Sequence, residues 1–402
     1  CKKIEKNQIT KNMKFTKSIF DKEGNDIEKF NKLDLDERSI VFYSEDISSF
    51  VHFEQIIHEL TEKMGYQICY VTSAKDDPIL TSQNKRIKAF YIGLGAIRTK
   101  FFMELKAELL VMTMPSLETY FIKRSRFYSV HYVYVFHSIV SSHTIYRKGA
   151  FDHFDSIFCA GPHHIKEIKA TEQLYNLNHK NLVMYGYGLL DKLQKNKPVQ
   201  NQEICTKDGR KKILVAPSWG KKGLLETKGL DLVKILLDAG YHVTVRPHPM
   251  SIKKSSKTIK KIREKFEGNS DFILDTNTSS FEQLFSSYAL ITDWSGIGFE
   301  YAFVCERPVI YVDVPKKAQN KEYDKIQFVP LEVSIRDKIG EIISINNLES
   351  MPERIEFLYG HVNEFQNKIK KIRDDTIFNI GESGQAAAGE IIQIINEIAP
   401  TK

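Results

Sequence analysis

Residues 289–303 read ALITDWSGIGFEYAF, a stretch that predicts a buried strand, a tight turn and a helix in direct succession. Small residues at such a turn let an anion approach the unpaired backbone N–H groups at the start of the helix. Aspartate and serine are also common helix caps, so the spacing alone favours binding and capping equally. The candidate substrate-binding residues of this stretch are Thr292, Asp293, Ser295, Gly296 and Glu300.

Three of these side chains have distinct expected roles. Ser295 can add a hydroxyl donor beside the backbone N–H groups. Asp293 can hold a ribose hydroxyl or orient a neighbouring side chain. Glu300 lies one helical turn further along and can face the same cleft.

Short apolar runs alternate with helical patterns on both sides of this stretch, which indicates parallel sheets with helices on both faces. A polar segment interrupts the alternation, so we predict an α/β protein of two doubly wound, Rossmann-type domains facing each other across a cleft. In such sheets ligands bind at the carboxyl ends of the strands. The predicted divisions are a polar leader at 1–38, a first Rossmann-like domain at 39–192, a linker at 193–210, a second Rossmann-like domain at 211–375, and a C-terminal helix at 376–402 that packs back across the domains.

Length and composition agree with a globular protein of two domains. The 402 residues exceed what one hydrophobic core usually holds, and 42% hydrophobic and 27% charged residues are ordinary values. The net charge of +7 fits a phosphate-rich ligand, an anionic membrane surface, nucleic acid, or simply a solvated lysine-rich surface. The five cysteines form no CxxC pair, which disfavours a zinc site and fits a reducing cytoplasm.

Two further loops follow predicted strands of the second domain. Arg246 and His248 in the RPHP sequence suit a diphosphate, because both side chains donate charge-assisted hydrogen bonds; the alternative is a surface turn with a solvated arginine. Ser218, in the VAPSWG sequence at 215–220, can line the same cleft.

His137 ends a strongly apolar run at 130–136 in the first domain. An imidazole there can act as a general base near neutral pH, whereas an isolated histidine is more often a packed residue or a cap. The lysine-rich helix predicted at 252–266 and the basic leader are either solvated faces or contacts for an anionic membrane. No helix-turn-helix, RRM or zinc-finger pattern is present, so we expect no nucleic-acid partner.

Together, three of these motifs resemble the CDP-glycerol glycerophosphotransferases, which are teichoic-acid-type polymerases and primases with a GT-B fold. His137, the RPHP loop and the TDWSG turn at 292–296 occur in the order and approximate spacing of that family, and the resemblance extends over residues 39–398.

The sequence departs from the family pattern at three positions. Ser138 stands where the family has glycine, Trp294 replaces a tyrosine, and Gly296 replaces a second serine. The second domain therefore matches the family better than the first, and the acceptor and the transferred group stay open.

The resemblance implies a phosphotransferase that needs no cofactor or bound metal and takes CDP-glycerol, or a related CDP-alditol, as its donor. The first domain would bind the acceptor, a lipid-linked or polymeric cell-surface glycan of the teichoic-acid or capsular kind, and the second the nucleotide. His137 would be the base, while His248, Arg246 and the helix start after Ser295 would stabilise the departing CMP. The expected location is cytoplasmic, peripheral on the inner face of the plasma membrane.

Two other functions stay compatible with these residues. A GT-B glycosyltransferase for surface polysaccharide synthesis would use a nucleotide sugar and release UDP or GDP. A non-catalytic domain that binds a phosphopolymer or a membrane would turn over no donor.

Overall fold

Two parallel β-sheets form the framework of the protein, whose computed structural model describes residues 24–198, 204–277, 281–316 and 318–398. The strands of the first sheet are β1 (Ile40–Ser44), β2 (Ile68–Thr72), β3 (Ile87–Tyr91), β4 (Leu109–Met112), β5 (His131–Val135), β6 (Ser156–Cys159) and β7 (Asn181–Met184). They lie in the order β3-β2-β1-β4-β5-β6-β7, so the strand order reverses between β1 and β4. We call the part of the chain built around this sheet the first domain.

The second sheet repeats the plan with six strands and defines the second domain. Its strands are β8 (Lys212–Val215), β9 (His242–Val245), β10 (Phe272–Leu274), β11 (Ala289–Thr292), β12 (Val309–Asp313) and β13 (Gly340–Ser344). They lie in the order β10-β9-β8-β11-β12-β13, and the reversal falls between β8 and β11. The predicted α/β class with two doubly wound sheets is confirmed.

Helices pack on both faces of the sheets. Those before the linker are α1 (Phe50–His58), α2 (Ala96–Met103), α3 (Ser142–Ile145), α4 (Pro162–Tyr175) and α5 (Gly188–Lys195). Those after it are α6 (Leu224–Asp238), α7 (Pro249–Lys254), α8 (Ser256–Phe266), α9 (Glu282–Phe285), α10 (Ile297–Cys305), α11 (Leu331–Ser334), α12 (Met351–Gly360), α13 (Val362–Thr376) and α14 (Ser383–Ile398). A π-helical turn at Glu59–Lys63 continues α1, and 3-10 turns lie at Asp36–Arg38, Ile47–Ser49, Pro78–Thr81, Tyr323–Lys325 and Leu348–Ser350.

The cores lie between the sheets and these helices. Successive residues of a strand point to opposite faces, so Val41 of β1 packs in one hydrophobic cluster while Phe42 packs in another. Such strands are apolar throughout because helices cover both faces of the sheet, and this makes them recognisable in the sequence. Among the described residues, no helix has the length and apolar character to span a bilayer.

Part of the predicted leader packs on the first domain. Residues 1–23 lie outside the described residues, but residues 24–31 form a helical segment. Phe30 in that segment is fully buried, with ring centroids 5.4 Å from Phe90 and 5.1 Å from Phe101. A second tie is the backbone N–H of Tyr91, which donates to the Asp26 carboxylate at 3.3 Å.

The C-terminal helices return the chain to the first domain. The N–H of Phe378, just after α13, donates to the carbonyl of Ala160 after β6 (2.9 Å). Ala387 and Ile391 of α14 are buried in the same cluster as Phe42. In the predicted linker, α5 continues to Lys195, and residues 199–203 lie outside the described part. The predicted domain limits themselves stay predictions.

Candidate active site

The loops that follow β8 and β11 are joined by the carboxylate of Asp293. This residue is fully buried, and its Oδ1 accepts hydrogen bonds from the backbone N–H groups of Ser218 at 2.7 Å and Trp294 at 2.6 Å. Its Oδ2 accepts another from the N–H of Leu224, at the start of α6, at 3.3 Å. Of the two roles expected for Asp293, this geometry favours orientation of neighbouring groups, and contact with a ribose stays a prediction.

The turn after β11 lies against the first domain. A methyl group placed on Gly296 would come within 3.2 Å of Ser138 Oγ, so glycine permits the close approach of the two loops. The hydroxyl of Ser295 has no hydrogen-bond partner among the described residues, which leaves it available to a ligand. Thr292 differs, because its buried hydroxyl donates to the carbonyl of Ala216 at 2.8 Å.

The loop after β9 holds Arg246 and His248 in fixed orientations. Arg246 Nε and Nη2 lie 2.9 and 2.6 Å from Oδ2 of Asp275, which follows β10, and both partners are largely buried. This ion pair occupies only part of the guanidinium donors. Nδ1 of His248 accepts a hydrogen bond from the N–H of Met250 at 3.0 Å, so the neutral imidazole carries its hydrogen on Nε2 and can donate it.

His137 follows β5 in a cluster of imidazole and phenol rings. Its Nδ1 lies 3.2 Å from the hydroxyl oxygen of Tyr134, and its ring centroid lies 5.8 Å from that of His52 on α1. Burial lowers the pKa of His137 to about 4, although the backbone of Thr113 and the charge of Asp46 act in the opposite direction. The ring is therefore neutral at neutral pH and can accept a proton.

Tyr187, which follows β7, connects His137 to Glu300 on the second domain. Its hydroxyl oxygen lies 2.9 Å from Oε1 of Glu300 and 3.2 Å from the carbonyl oxygen of His137. A phenol has a single hydrogen and cannot donate fully to both. Burial raises the pKa of Glu300, although the Tyr187 contact opposes this. A protonated Glu300 would donate to Tyr187, which would then donate to the His137 carbonyl.

Two buried glutamates from opposite domains hold the rest of the loop after β5. Glu167 on α4 accepts from the N–H and the hydroxyl of Ser142, at 2.6 and 2.7 Å. Glu332 on α11 of the second domain accepts from the N–H of Ser141 at 3.0 Å. The loop that carries the candidate base is therefore fixed on both sides, and the second domain supplies one of its supports.

Four residues that complete the site were not singled out in the sequence: His52, Tyr187, Asp275 and Glu332. Asp275 comes directly after β10 and Tyr187 three residues after β7, and a position at the end of a strand is the signal by which they could have been found. His52 lies in the first turn of the helix after β1. Glu332 has no such signal, because its partner Ser141 is far away along the chain.

The site combines the neutral imidazole of His137 in the first domain with the Ser295 hydroxyl and the N–H donors at the start of α10 in the second. Such a pairing can deprotonate a hydroxyl on one side of the cleft and stabilise a phosphate on the other. Among the residues that the structure describes, no group of three or more histidine, cysteine, aspartate or glutamate side chains could hold a metal ion.

Two Rossmann-type sheets whose strand-end loops meet across one cleft define the GT-B class, and solved structures of that class superimpose on the chain. A variant of the wall teichoic acid polymerase TagF, soaked with CDPG, has a TM-score of 0.57 at 14% identity, covering 97% of this chain and 98% of its own. MnaA from S. aureus, in a structure with UDP, has a TM-score of 0.58 at 14% identity, covering 90% and 96%. These identities show the fold alone.

The family follows from the sequence itself. Residues 28–368 match the CDP-Glycerol:Poly(glycerophosphate) glycerophosphotransferase family. The chain belongs to this family, so the resemblance and the GT-B fold expected from the sequence are confirmed. No curated protein matches the sequence. The roles of the individual site residues stay predictions.

Proposed function

We propose that the protein transfers glycerol phosphate, or a related alditol phosphate, from a CDP-activated donor to a hydroxyl of a cell-surface glycan of the teichoic-acid or capsular kind. The supporting observation is that the loop of the neutral His137 meets the helix-start turn at Ser295, where Gly296 faces Ser138. Family membership supports the donor class, as does the CDPG soaked into the TagF variant.

In the proposed reaction the acceptor oxygen attacks the distal phosphorus of the donor diphosphate. The bond from that phosphorus to the bridging oxygen breaks, and CMP leaves with the electron pair. His137 takes the acceptor proton as the new bond forms, a contribution of roughly 10²–10⁴-fold in rate. The products are a phosphodiester on the acceptor, CMP and a protonated His137.

The second domain would stabilise the charge that develops on CMP. His248 would donate from Nε2, and Arg246 would use the donors that Asp275 leaves available. The hydroxyl of Ser295 and the N–H groups at the start of α10 would complete the set. Preorganised donors of this kind often supply the largest contribution to phosphoryl transfer.

We also propose that the protein works as a peripheral protein on the cytoplasmic face of the plasma membrane. Glycan acceptors of this family are built on lipid carriers, so the enzyme must meet its acceptor at a bilayer surface. The net charge of +7 supports attraction to anionic lipids.

Release of CMP from CDP-glycerol with a lipid-linked glycan acceptor tests the proposed transfer. We expect CMP and acceptor phosphodiester to form in equal amounts. Release of UDP or GDP from a nucleotide sugar, without CMP, would identify a glycosyltransferase instead. Tight binding of polymer without turnover of any donor would identify a binding domain.

A further inference from the structure

A groove between α2 and the segment after β4 exposes large hydrophobic side chains on the first domain. It encloses about 500 Å³, and Phe121, Phe127, Lys100 and Arg126 line it. The exposed fractions of Phe127 and Phe121 are 71% and 54%, and Leu94, Tyr120 and Tyr128 are exposed as well. We call these seven residues the aromatic groove. An exposed cluster of this kind marks an interaction surface more often than an inert one.

Positive charge surrounds the aromatic rings. Lys100 and Arg126 are exposed within the groove, where Glu104 is the acidic lining residue. At its margins, the Lys106 ammonium lies 5.5 Å from the ring centre of Tyr128, and the Arg147 guanidinium lies 5.5 Å from that of Tyr120. Aromatic rings beside cations suit the headgroup region of an anionic bilayer, where rings insert and cations meet phosphates.

The lysine-rich segment predicted at 252–266 is a weaker candidate for membrane contact than the aromatic groove. The segment predicted at 252–266 is two helices, α7 and α8, that meet at Ser255. Its apolar side chains Ile259, Ile262 and Phe266 are buried in the core of the second domain. The helix therefore presents charge to solvent without an apolar anchor, and charge alone is weakened by salt.

We infer that the aromatic groove is the surface by which the protein docks on an anionic phospholipid bilayer. Phe121 and Phe127 insert at the level of the headgroups, and Lys100 and Arg126 contact lipid phosphates. This inference rests on the membrane attachment in the proposed function and names its surface. The segment that supplies the two phenylalanines follows β4, which pairs with β5, and His137 comes shortly after β5. Docking there would bring the acceptor side of the cleft towards the lipid carrier.

Flotation with vesicles of equal parts phosphatidylglycerol and phosphatidylcholine tests the inference. The double variants Phe121→Ser/Phe127→Ser and Lys100→Glu/Arg126→Glu should each bind at least about tenfold more weakly than the wild type. Phe357→Ser is the matched control, because Phe357 is 47% exposed on the second domain and also has a neighbouring arginine. It should bind within about twofold of the wild type, as should Lys257→Glu/Lys260→Glu on α8.

A single conservative variant reports insertion directly. The fluorescence of Phe127→Trp should shift to the blue on adding these vesicles and be quenched by brominated lipid, whereas Phe357→Trp should not respond. If both groove double variants bind vesicles as well as the wild type, or if the fluorescence of Phe127→Trp does not change, the inference about the groove is overturned. The proposed membrane attachment would still stand. A wild type that ignores anionic vesicles would overturn attachment and inference together. CMP release with a soluble acceptor is measured separately, so the proposed transfer stands or fails on its own.

Discussion

The hydroxyl oxygen of Tyr187 in the first domain lies 2.9 Å from Oε1 of Glu300 in the second. This contact joins the segment after β7 to α10, the helix that follows β11 in the other domain. Because Tyr187 also reaches the carbonyl of His137, the link between the domains ends at the loop of the candidate base.

Two substitutions of Glu300 should distinguish the stability that comes from its hydrogen bond with Tyr187 from any that comes from its charge. Glu300→Gln keeps a donor for Tyr187, so its free energy of unfolding should stay close to that of the wild type. Glu300→Ala removes one of the two hydrogen-bond partners of the buried Tyr187 hydroxyl, which can still donate to the His137 carbonyl, and should cost about 0.5–1.5 kcal/mol. Denaturant unfolding measures both, and a Glu300→Ala variant as stable as the wild type would show that the contact contributes nothing.

Asp293→Asn should disturb both of the loops that Asp293 connects, the one after β8 and the one after β11. One oxygen of Asp293 becomes an amide N–H₂ group, so asparagine can accept either from Ser218 and Trp294 or from Leu224, but not from all three. We expect a loss of about 1–3 kcal/mol in the free energy of unfolding, together with weaker donor binding. The control is Asp231→Asn on α6, whose side chain is 59% exposed and pairs with Lys228, so the change should be tolerated. Unchanged donor affinity in Asp293→Asn would remove its proposed positioning role.

Stability should fall on the acid side because two half-buried imidazoles, those of His52 and His137, resist protonation. Burial lowers the pKa of His52 to about 3, with a further contribution from His137, whose own pKa is about 4. An unfolded imidazole titrates near 6.5, so the unfolded chain binds more protons below that pH. The stability that these neutral imidazoles contribute to the folded protein is complete above pH 6.5 and is lost as the pH falls towards 4. His52→Gln should flatten this slope in melting temperatures measured from pH 7 to 4; an identical slope would contradict it.

Most of the framework could be predicted from the sequence. Strands buried on both faces are short apolar runs, so the strands of the first sheet can be recognised from the sequence alone. β13 is harder to recognise, because Gly340–Ser344 lies at the edge of the second sheet and contains Glu341 and Ser344 among few apolar residues. A sheet edge buries less, so its sequence carries a weaker pattern.

The site could be predicted only in part. Parallel sheets place ligands at strand ends, so His137, Arg246 and the turn after Thr292 could be selected from local sequence. Their partners could not, because Asp275 and Glu332 meet them only through strand order and domain contact. Local sequence also suggested that Asp293 could bind a ligand directly, whereas its backbone contacts become visible only when the loop after β8 is in place.

His137→Ala should lower the rate of transfer without weakening donor binding. A base acts on the acceptor proton only as the bond forms, so kcat should fall by roughly 10²–10⁴-fold while the donor dissociation constant stays constant. In the wild type, activity should be lost as pH falls through a value well below 6.5, because burial lowers the pKa of this ring to about 4. That limb should be absent in the variant. Near-normal kcat per folded molecule would identify His137 as a packed residue.

Substitutions of His248 can distinguish its structural role as a helix cap from its proposed role as a hydrogen-bond donor to the phosphate. Its Nδ1 caps α7 by accepting from Met250, whereas Nε2 is the donor proposed for the departing phosphate. His248→Asn should keep the cap, because asparagine is a good N-cap residue, but it removes the Nε2 donor. We therefore expect melting behaviour close to that of the wild type, with both kcat and donor affinity reduced. His248→Ala loses the cap as well and should also be less stable, by about 1 kcal/mol. Calorimetric titration with CDP-glycerol measures the affinity, and wild-type affinity and turnover in a stable His248→Asn variant would exclude His248 from the donor site.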